Sequence, residues 1–304
     1  MKHFLKHIIL FSLCILIPLI AAEIYVERLP NPSRDKHQWM QRHSTQVRTL
    51  ILGSSHTFYG VNPNILTAQS DTAFNLAQVA QTYRYDDYLL HHYPMPRLRN
   101  LILPYSYFSL YEDFESMPRE RWNAIRYRLY MDCDIHPRIS FYGFEFSSIN
   151  ALVEKLKNNL IAPQSSHCTT WDTLGWGTDF TYRSREHDWD NGAEAAFNNT
   201  YADTTLVPLN IAYLDDIMDF CAKQRVNVLL ITTPLSPRFL EHQQPRQVDR
   251  NDSVLAQLLR RHPHVHYMDF SDDPDFLDAD FYDSHHLNEY GATKLTKKLL
   301  YWLR

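Results

Sequence analysis

Two short segments, far apart in the sequence, carry side chains that suit nucleophilic catalysis. The first is Gly53-Ser54-Ser55-His56, which follows the apolar run Leu50-Ile51-Leu52. A serine just beyond a buried strand suits a nucleophile, because ligands of open parallel sheets bind at the carboxyl ends of strands. The glycine permits a tight turn at that point. Taken alone, this segment is more often a serine-rich turn that only caps a helix.

The second segment runs from Asp283 to Gly291 and precedes a helix-like stretch. Asp283 and His286 are three residues apart, so they share a face if the segment forms a helical turn. A carboxylate that orients an imidazole, which in turn takes a proton from a hydroxyl, is what a nucleophilic serine requires. Taken alone, the segment is also explained as a helix N-terminus with a capping aspartate.

The elements that must position these two segments alternate between strand and helix. Apolar runs predict strands at 47–52, 72–76, 98–103, 226–232 and 265–270. Helical spacing of apolar residues predicts helices at 83–92, 148–160, 210–225, 249–261 and 288–303. Such alternation indicates an α/β fold with a parallel sheet covered on both faces. Residues 112–205 interrupt it and are predicted to form a mixed insertion over the sheet.

Residues 1–26 predict a signal anchor or a signal peptide. Lys2 and Lys6 precede an apolar run over residues 8–22, which is the pattern of an export signal. The run is shorter than the roughly 20 residues of a usual spanning helix. Bulky residues before the Ala21-Ala22 pair make a poor cleavage site, which favours an uncleaved anchor. The positive-inside rule then places the rest of the chain outside the cytoplasm, in the periplasm or the extracellular space.

The composition is that of an ordinary globular protein. The 304 residues are 44% hydrophobic and 21% charged, which excludes a disordered chain. The formal net charge of -5 offers no basic excess for nucleic acid. Four cysteines exclude a disulfide-built scaffold, although Cys133 and Cys168 could pair; Cys221 is predicted to be buried. The polar residues 27–46 are predicted to link the apolar N-terminal run to one domain that covers 47–304.

Together the two segments resemble the first and last blocks of the SGNH/GDSL hydrolase superfamily. That family has a flavodoxin-like, three-layer α/β/α fold, so the resemblance implies this fold with a five-stranded parallel sheet. It implies that Ser55 is the nucleophile, His286 the general base and Asp283 the partner that orients the base.

Each segment offers a second candidate residue next to the assigned one. The family places its nucleophile two residues after the glycine, which favours Ser55 over Ser54. The spacings from Asp283 and to Gly291 both favour His286 over His285 as the base.

The middle blocks of the family match less well. The second block supplies a glycine N–H to the oxyanion hole, and residues 74–81 contain no glycine. The resemblance therefore implies the backbone N–H groups of Ser55 and Ala80 as oxyanion donors. The asparagine of the third block is missing from residues 103–108, and the loss of one such donor can cost about 10²–10³ in rate. The neighbouring His56, Tyr105 and His285 are predicted to contact the substrate.

The combination of an anchor, a serine block and a late Asp/His block is similar to two envelope branches of the family. These are the D-alanine-transfer proteins of teichoic-acid modification and the alginate O-acetyltransferase group. The resemblance implies a serine esterase or O-acyltransferase acting on acyl esters of cell-envelope glycans or polymers. An enzyme of this kind needs no cofactor, and a membrane-bound acyltransferase is a candidate partner. The alternative is a non-catalytic protein that binds or scaffolds envelope polymers, which the weak oxyanion blocks favour.

Three further patterns suit structural roles better than functional ones. His264 and His266 point the same way on a strand, yet no further ligands complete a zinc site, so a metal-dependent enzyme is a third interpretation only. The acidic loop 272–280 lacks the order of a calcium loop and predicts a solvated turn. The aromatic residues of the insertion fit the core of that region better than a sugar-binding surface; they are Trp122, Tyr127, Tyr130, Phe141, Tyr142, Phe144, Trp171, Trp176 and Trp189.

Overall fold

The computed structural model describes residues 2–68, 72–117, 120–161 and 169–303. Its strands are β1 Thr49–Ile51, β2 Ala73–Asn75, β3 Asn100–Pro104, β4 Asn227–Thr232, β5 Val265–Asp269, β6 Phe281–Asp283 and β7 His286–Leu287. Its α-helices are α1 Lys2–Glu27, α2 Pro32–His43, α3 Ser55–Gly60, α4 Pro63–Thr67, α5 Tyr83–His92, α6 Ala124–Tyr130, α7 Ile149–Leu156, α8 Gly192–Asn198, α9 Val207–Gln224, α10 Pro237–Glu241, α11 Pro245–Arg261 and α12 Glu289–Leu303.

Strands β1 to β5 form one parallel sheet in the order β2-β1-β3-β4-β5. This is the flavodoxin-like order, in which the connections reverse direction between β1 and β3. The predicted fold class is confirmed. The predicted strands and the helices around the sheet agree with the structure apart from a few terminal residues, because nearly continuous apolar runs leave little choice of conformation in a sheet buried on both faces.

Successive strand residues pack on opposite faces of the sheet, which gives three layers. Leu50 and Leu101 pack in a core with helices α2, α5, α9 and α11 on one face. Ile51 and Ile102 pack in a second core with α4 and α12 on the other face. Buried apolar contacts on both faces therefore hold strands β1 and β3 in place.

Helix α1 stands apart from both cores. It contains a 25-residue stretch, His3–Glu27, that is long and apolar enough to cross a membrane. The most apolar 18 residues of this stretch have a mean hydropathy of 2.4, and none of them is buried. The chain thus has a helix fit to serve as a membrane anchor or a signal sequence. It is longer than the apolar run alone suggested, because the helix continues through Glu23 to Glu27.

The residues predicted as a linker, 27–46, instead contain helix α2. Asn31 caps this helix by accepting a hydrogen bond from the Arg34 N–H, and Pro32 occupies its first turn. Met40 is fully buried in the larger core. The prediction missed the helix because its mostly polar residues show no clear apolar stripe, although Asn31-Pro32 is a helix-start signal.

The insertion is part of the larger core rather than a lid resting on the sheet. Tyr127 of α6 is fully buried, stacks on Tyr85 at 4.1 Å between ring centroids, and donates a hydrogen bond to Gln81 Oε1 at 2.9 Å. Tyr127 thus follows the core interpretation of the insertion's aromatic residues. Cys168, one partner of the suggested disulfide, lies outside the described residues, and Cys221 is buried as predicted.

Gly53 is the tightest point between β1 and the nucleophile segment. Its φ of +109° is a conformation that side chains rarely adopt, and an added Cβ would lie 2.2 Å from the ring carbons of Pro104. The end of β1 therefore approaches the end of β3 as closely as only glycine allows.

We expect Gly53→Ala to destabilise the folded domain by about 2 kcal/mol or more, because both the backbone conformation and the space forbid a Cβ. Gly60→Ala is the matched control, since the nearest atom to its added Cβ lies 3.8 Å away. Urea unfolding followed by tryptophan fluorescence measures both. Equal stability of the two variants would contradict this account of the turn.

Candidate active site

Ser55 occupies the first position of helix α3, directly after the turn at the end of β1. The turn is fastened by Thr57, whose hydroxyl donates to the Leu52 carbonyl at 2.7 Å. Asn75, at the end of β2, donates to the Thr57 carbonyl at 2.9 Å and to the Val61 carbonyl at 3.0 Å. The serine is therefore presented on a short helix that is held at both ends.

A buried carboxylate supports the same turn from below. Asp86 of α5 accepts hydrogen bonds from the Gly53 N–H at 2.8 Å and from the Gln81 amide at 2.6 Å. Burial raises the pKa of Asp86 to about 7, and the two hydrogen bonds oppose that rise. Nothing in the spacing of the sequence pointed to this contact.

Asp283 and His286 lie on a β-hairpin rather than on a helical turn. Strands β6 and β7 pair antiparallel, with Asp283 directly opposite His286. The helical turn predicted from their spacing is wrong, because helix α12 begins only at Glu289, after Asn288. Its side-chain oxygen accepts from the N–H groups of Tyr290 and Gly291 at the start of α12, and its amide donates to the Phe281 carbonyl.

The fold brings Ser55, His286 and Asp283 into one hydrogen-bonded chain, although Ser55 and His286 are 231 residues apart in sequence. Ser55 Oγ lies 2.8 Å from His286 Nε2. His286 Nδ1 lies 2.9 Å from Asp283 Oδ2. This is the order of groups that activates a serine for attack on a carbonyl carbon.

Asp283 is held in its charged form. Burial alone would raise its pKa, but the charges of His286 and His285 and hydrogen bonds from both residues bring the pKa below its ordinary value. The backbone N–H groups of His285 and His286 both donate to Oδ1, at 3.0 and 2.9 Å. An ionised carboxylate can only accept, so the His286 nitrogen that faces it, Nδ1, carries a proton, and Nε2 is the nitrogen that faces the serine hydroxyl.

His285 and His56 flank this chain of hydrogen bonds. The His285 ring stacks on Phe239 at 5.6 Å, and its Nδ1 lies 3.2 Å from Asp283 Oδ1. His56 is buried, and its Nδ1 contacts the hydroxyls of Ser106 at 2.7 Å and Thr233 at 3.2 Å. Among the described residues, His56 Nε2 has no hydrogen-bond partner.

Tyr105 lies in the larger core instead of the site. Only 4% of its surface is exposed, and its hydroxyl donates to the Asn251 carbonyl at 2.8 Å. This placement contradicts the expectation that Tyr105 contacts substrate. The residue follows Pro104 at the end of β3, and strand alternation turns its side chain toward α11 while Ser106 faces His56.

Ala80 lies in a turn after β2, at the same edge of the sheet as Ser55. Its φ of +58° makes it one of the described non-glycine residues in the left-handed region. It borders a cavity of about 280 Å³ together with Phe58 and Gln78. Its role as an oxyanion donor stays a prediction, as does that of the Ser55 N–H.

The insertion contributes an aromatic wall that the sequence did not reveal. Phe180 stacks between Tyr59 at 3.6 Å and Tyr282 at 3.9 Å, and its ring meets that of His286 edge-on at 5.3 Å. The hydroxyl of Ser284, in the hairpin turn, also donates to Asn191 Oδ1 at 2.8 Å. Residues of the insertion thus fix both the base and its loop, and no spacing rule links them to either motif.

A metal could be held only at the expense of the hydrogen-bonded chain. Within the described residues, His56, His285 and His286 each offer a nitrogen, and these atoms lie within 4.8 Å of one another. Both nitrogens of His286 already contact Ser55 and Asp283, so an ion would have to displace one of them. His264 contacts the Met218 carbonyl and His266 packs on Trp302, which gives the suggested pair other partners.

Comparison with known proteins gives no family assignment. No protein-family model and no curated protein matches the chain. Solved structures similar to it include a Streptococcus pneumonia protein provisionally described as a platelet activating factor, with 11% identity, a TM-score of 0.47 and coverage of 94% of this chain and 99% of that one.

Two other similar structures are named after ester hydrolysis. One is a Bacteroides fragilis protein provisionally described as an acylhydrolase, with 9% identity, a TM-score of 0.42 and coverage of 88% of this chain and 96% of that one. The other is the acetyl xylan esterase AlAXEase, with 12% identity, a TM-score of 0.41 and coverage of 84% and 100%. What the site can do follows from its own geometry.

We expect the unfolding free energy to fall as the pH is lowered from about 6.5, partly because of His285. Burial and the neighbouring His286 lower its folded-state pKa from 6.5 to about 4, and Asp283 opposes this. Between these values the unfolded chain binds a proton that the folded chain does not, so stability rises with pH there, by at most about 1.4 kcal/mol per pH unit for one proton.

His285→Gln should flatten this slope, and His242→Gln, at an exposed position, is the control. Urea unfolding at pH 4.5, 5.5, 6.5 and 7.5 measures the effect. The same slope in wild type and His285→Gln would contradict the role of His285.

Proposed function

We propose that this chain is an SGNH-type serine esterase or O-acyltransferase that works through an acyl-serine intermediate. The observation that carries the proposal is the hydrogen-bonded chain from Ser55 through His286 to Asp283 at the carboxyl edge of a parallel sheet. The lowered pKa of Asp283 supports the proposal, because an ionised carboxylate can orient the imidazole and stabilise its charged form. A serine that only capped a helix would have no need of this buried, charged partner.

In the first step, Ser55 Oγ attacks the ester carbonyl carbon while its proton moves to His286 Nε2. The charge that forms on the imidazole is stabilised by Asp283, which stays ionised. His286 then gives the proton to the departing alcohol oxygen, and the acyl group remains on Ser55. We assign the backbone N–H groups of Ser55 and Ala80 to the carbonyl oxygen, whose negative charge must be met by donors.

In the second step, His286 takes a proton from water or from an acceptor hydroxyl, and that oxygen attacks the acyl carbon. The bond between the acyl carbon and Ser55 Oγ then breaks, and His286 returns the proton to Oγ, which regenerates the free serine. Water yields a carboxylic acid, and a sugar hydroxyl yields a new ester. The difference between esterase and transferase thus depends on which hydroxyl reaches the acyl-serine. The protein groups used are the same in both cases.

We further propose that the substrates are acyl esters of cell-envelope glycans or polymers. Helix α1, serving as an uncleaved anchor, would hold the active site outside the cytoplasm and next to such polymers. Its length and apolar composition support this, as do the basic residues that precede the apolar run in the sequence. A membrane-bound acyltransferase would then be a suitable donor of acyl groups.

Labelling with a fluorophosphonate probe tests the nucleophile. We expect the full-length wild type in detergent to gain one probe mass, because the probe traps a serine whose hydroxyl is deprotonated by a neighbouring base. Ser55→Ala should abolish labelling. Ser54→Ala is the matched control, since Ser54 is the adjacent serine and its hydroxyl has no hydrogen-bond partner among the described residues.

Intact mass spectrometry reads the outcome, and circular dichroism checks the fold of each variant. Labelling that is lost in Ser54→Ala but kept in Ser55→Ala would show that Ser54, and not Ser55, is the nucleophile. If the folded wild type is not labelled, the proposal of an enzyme is overturned. The alternative, a non-catalytic protein that binds envelope polymers, is then favoured.

Asp283→Asn should slow phosphonylation by about 10³–10⁴-fold, because an amide can donate to Nδ1 and so stabilise the wrong tautomer of His286. The rate of probe incorporation at constant pH measures this. His285→Asn is the control, because His285 also contacts Asp283 but makes no contact with Ser55 in the proposed mechanism. Equal rates for wild type and Asp283→Asn would show that Asp283 does not orient the base.

A further inference from the structure

Helix α7, within the insertion, exposes large apolar side chains to solvent and buries a charged one. Ile149 and Val153 are 78% and 52% exposed, and Leu160, just beyond the helix, is 53% exposed. Their spacing places them on one side of the helical stretch. A helix that packs on a protein core normally turns its apolar side inward.

The opposite side of α7 carries a buried lysine. Lys155 is 7% exposed and bonds Glu145 and the Tyr130 hydroxyl, and Ala151 is buried beside it. Burial lowers the pKa of Lys155, while Glu145 opposes this. The buried ion pair fixes which way the helix faces, since turning the helix over would leave Glu145 buried without its partner.

The residues before α7 carry further exposed apolar side chains. Ile139 is 87% exposed, Phe144 41% and Phe146 42%. We call the whole surface the α7 face; it consists of Ile139, Phe144, Phe146, Ile149, Val153 and Leu160. Exposed apolar residues crowded into so short a segment indicate a surface that is covered in the working protein.

Several contacts tie the α7 face to the end of helix α1. The Glu23 carboxylate accepts the backbone N–H groups of Glu145 at 2.6 Å and Phe146 at 3.0 Å. Arg138 pairs with Glu27 at 3.1 Å. The Asn159 amide donates to the Pro30 carbonyl at 3.1 Å. The apolar surface thus begins where the apolar helix ends.

We propose that the α7 face lies in the interface of the same lipid bilayer that α1 spans. This proposal depends on α1 being a membrane anchor and does not depend on the chemistry proposed for Ser55. In this proposal Glu23 and Glu27 mark the depth at which α1 leaves the hydrocarbon. Glu145, Phe146 and Arg138, which lie next to or within the α7 face in sequence, are bonded to those two residues and so hold the face near that depth. Interfacial helices bury an apolar side at this depth in the same way.

Docking by two attachments has a consequence for the catalytic domain. A lone spanning helix leaves its domain free to rotate above the membrane, whereas a second contact fixes its orientation. The α7 face would therefore hold the Ser55 edge of the sheet at one height and one angle. A polymer-bound or lipid-linked ester would have to reach it from a defined side.

Spin labels on the full-length chain in phosphatidylcholine–phosphatidylglycerol nanodiscs test the proposal. Single cysteines are placed at Ile149 and Val153, after Cys14 and Cys168 are replaced by serine; the native Cys133 and Cys221 are buried. Phe197→Cys on α8 is the matched control, an exposed apolar position with 77% exposure. Ile17→Cys on α1 reports whether the anchor itself is in lipid.

We expect the labels at 149 and 153 to be reached more readily by oxygen than by a water-soluble nickel chelate, as at position 17. The label at 197 should show the reverse preference. Water-like accessibility at 149 and 153 with lipid-like accessibility at 17 would overturn the proposal.

Three other outcomes would also overturn it. Protection from both agents, seen only when two chains share a disc, would show that a second copy covers the face. Protection from both agents in discs with one chain would show that the face packs on protein. A water-like signal at position 17 would remove the anchor, and the α7 face proposal with it.

Discussion

The hydrogen bonds that converge on Asp283 organise the active site. Two backbone N–H groups of its own hairpin and the ring of His286 meet at one carboxylate. The same contacts shape the turn, lower the pKa of Asp283 and decide which nitrogen of His286 is free for Ser55. The geometry of the hairpin and the orientation of the His286 ring are therefore one arrangement, and the proposed proton transfer depends on both.

The serine side depends on a steric constraint instead. Gly53 packs against Pro104, the last residue of β3, at a distance that leaves no room for a Cβ, and Asp86 accepts a hydrogen bond from the Gly53 N–H. Ser55 can then emerge on a short helix directly opposite the hairpin. The two halves of the site come from different parts of the fold. Helix α3, which carries Ser55, packs against α12 and against β7, which carries His286, and Ser55 Oγ there lies 2.8 Å from His286 Nε2.

The insertion connects this site to the end of helix α1. Phe180 supports His286 at one end of the insertion, and the contacts of Glu145 and Phe146 with Glu23 bind its other part to the anchor helix. The buried pair Lys155–Glu145 orients α7 between them. The insertion, which the sequence predicted to lie over the sheet, thus contacts both His286 and the end of α1.

The sequence by itself determined the sheet, the helices with a clear apolar stripe and the two motif segments, because apolar periodicity and glycine placement are local properties of the chain. It missed helix α2, whose mostly polar residues show no such stripe. It also favoured Ser55 over Ser54 and His286 over His285. Only the tertiary structure decided that Asp283 and His286 face each other across a hairpin, that Tyr105 is a core residue, and that Phe180 and Asp86 support the site. Those facts depend on contacts between residues far apart in the chain, whose side chains carry no local signal of their partners. The same holds for α7, where a buried ion pair sets the orientation of the helix against its own apolar pattern.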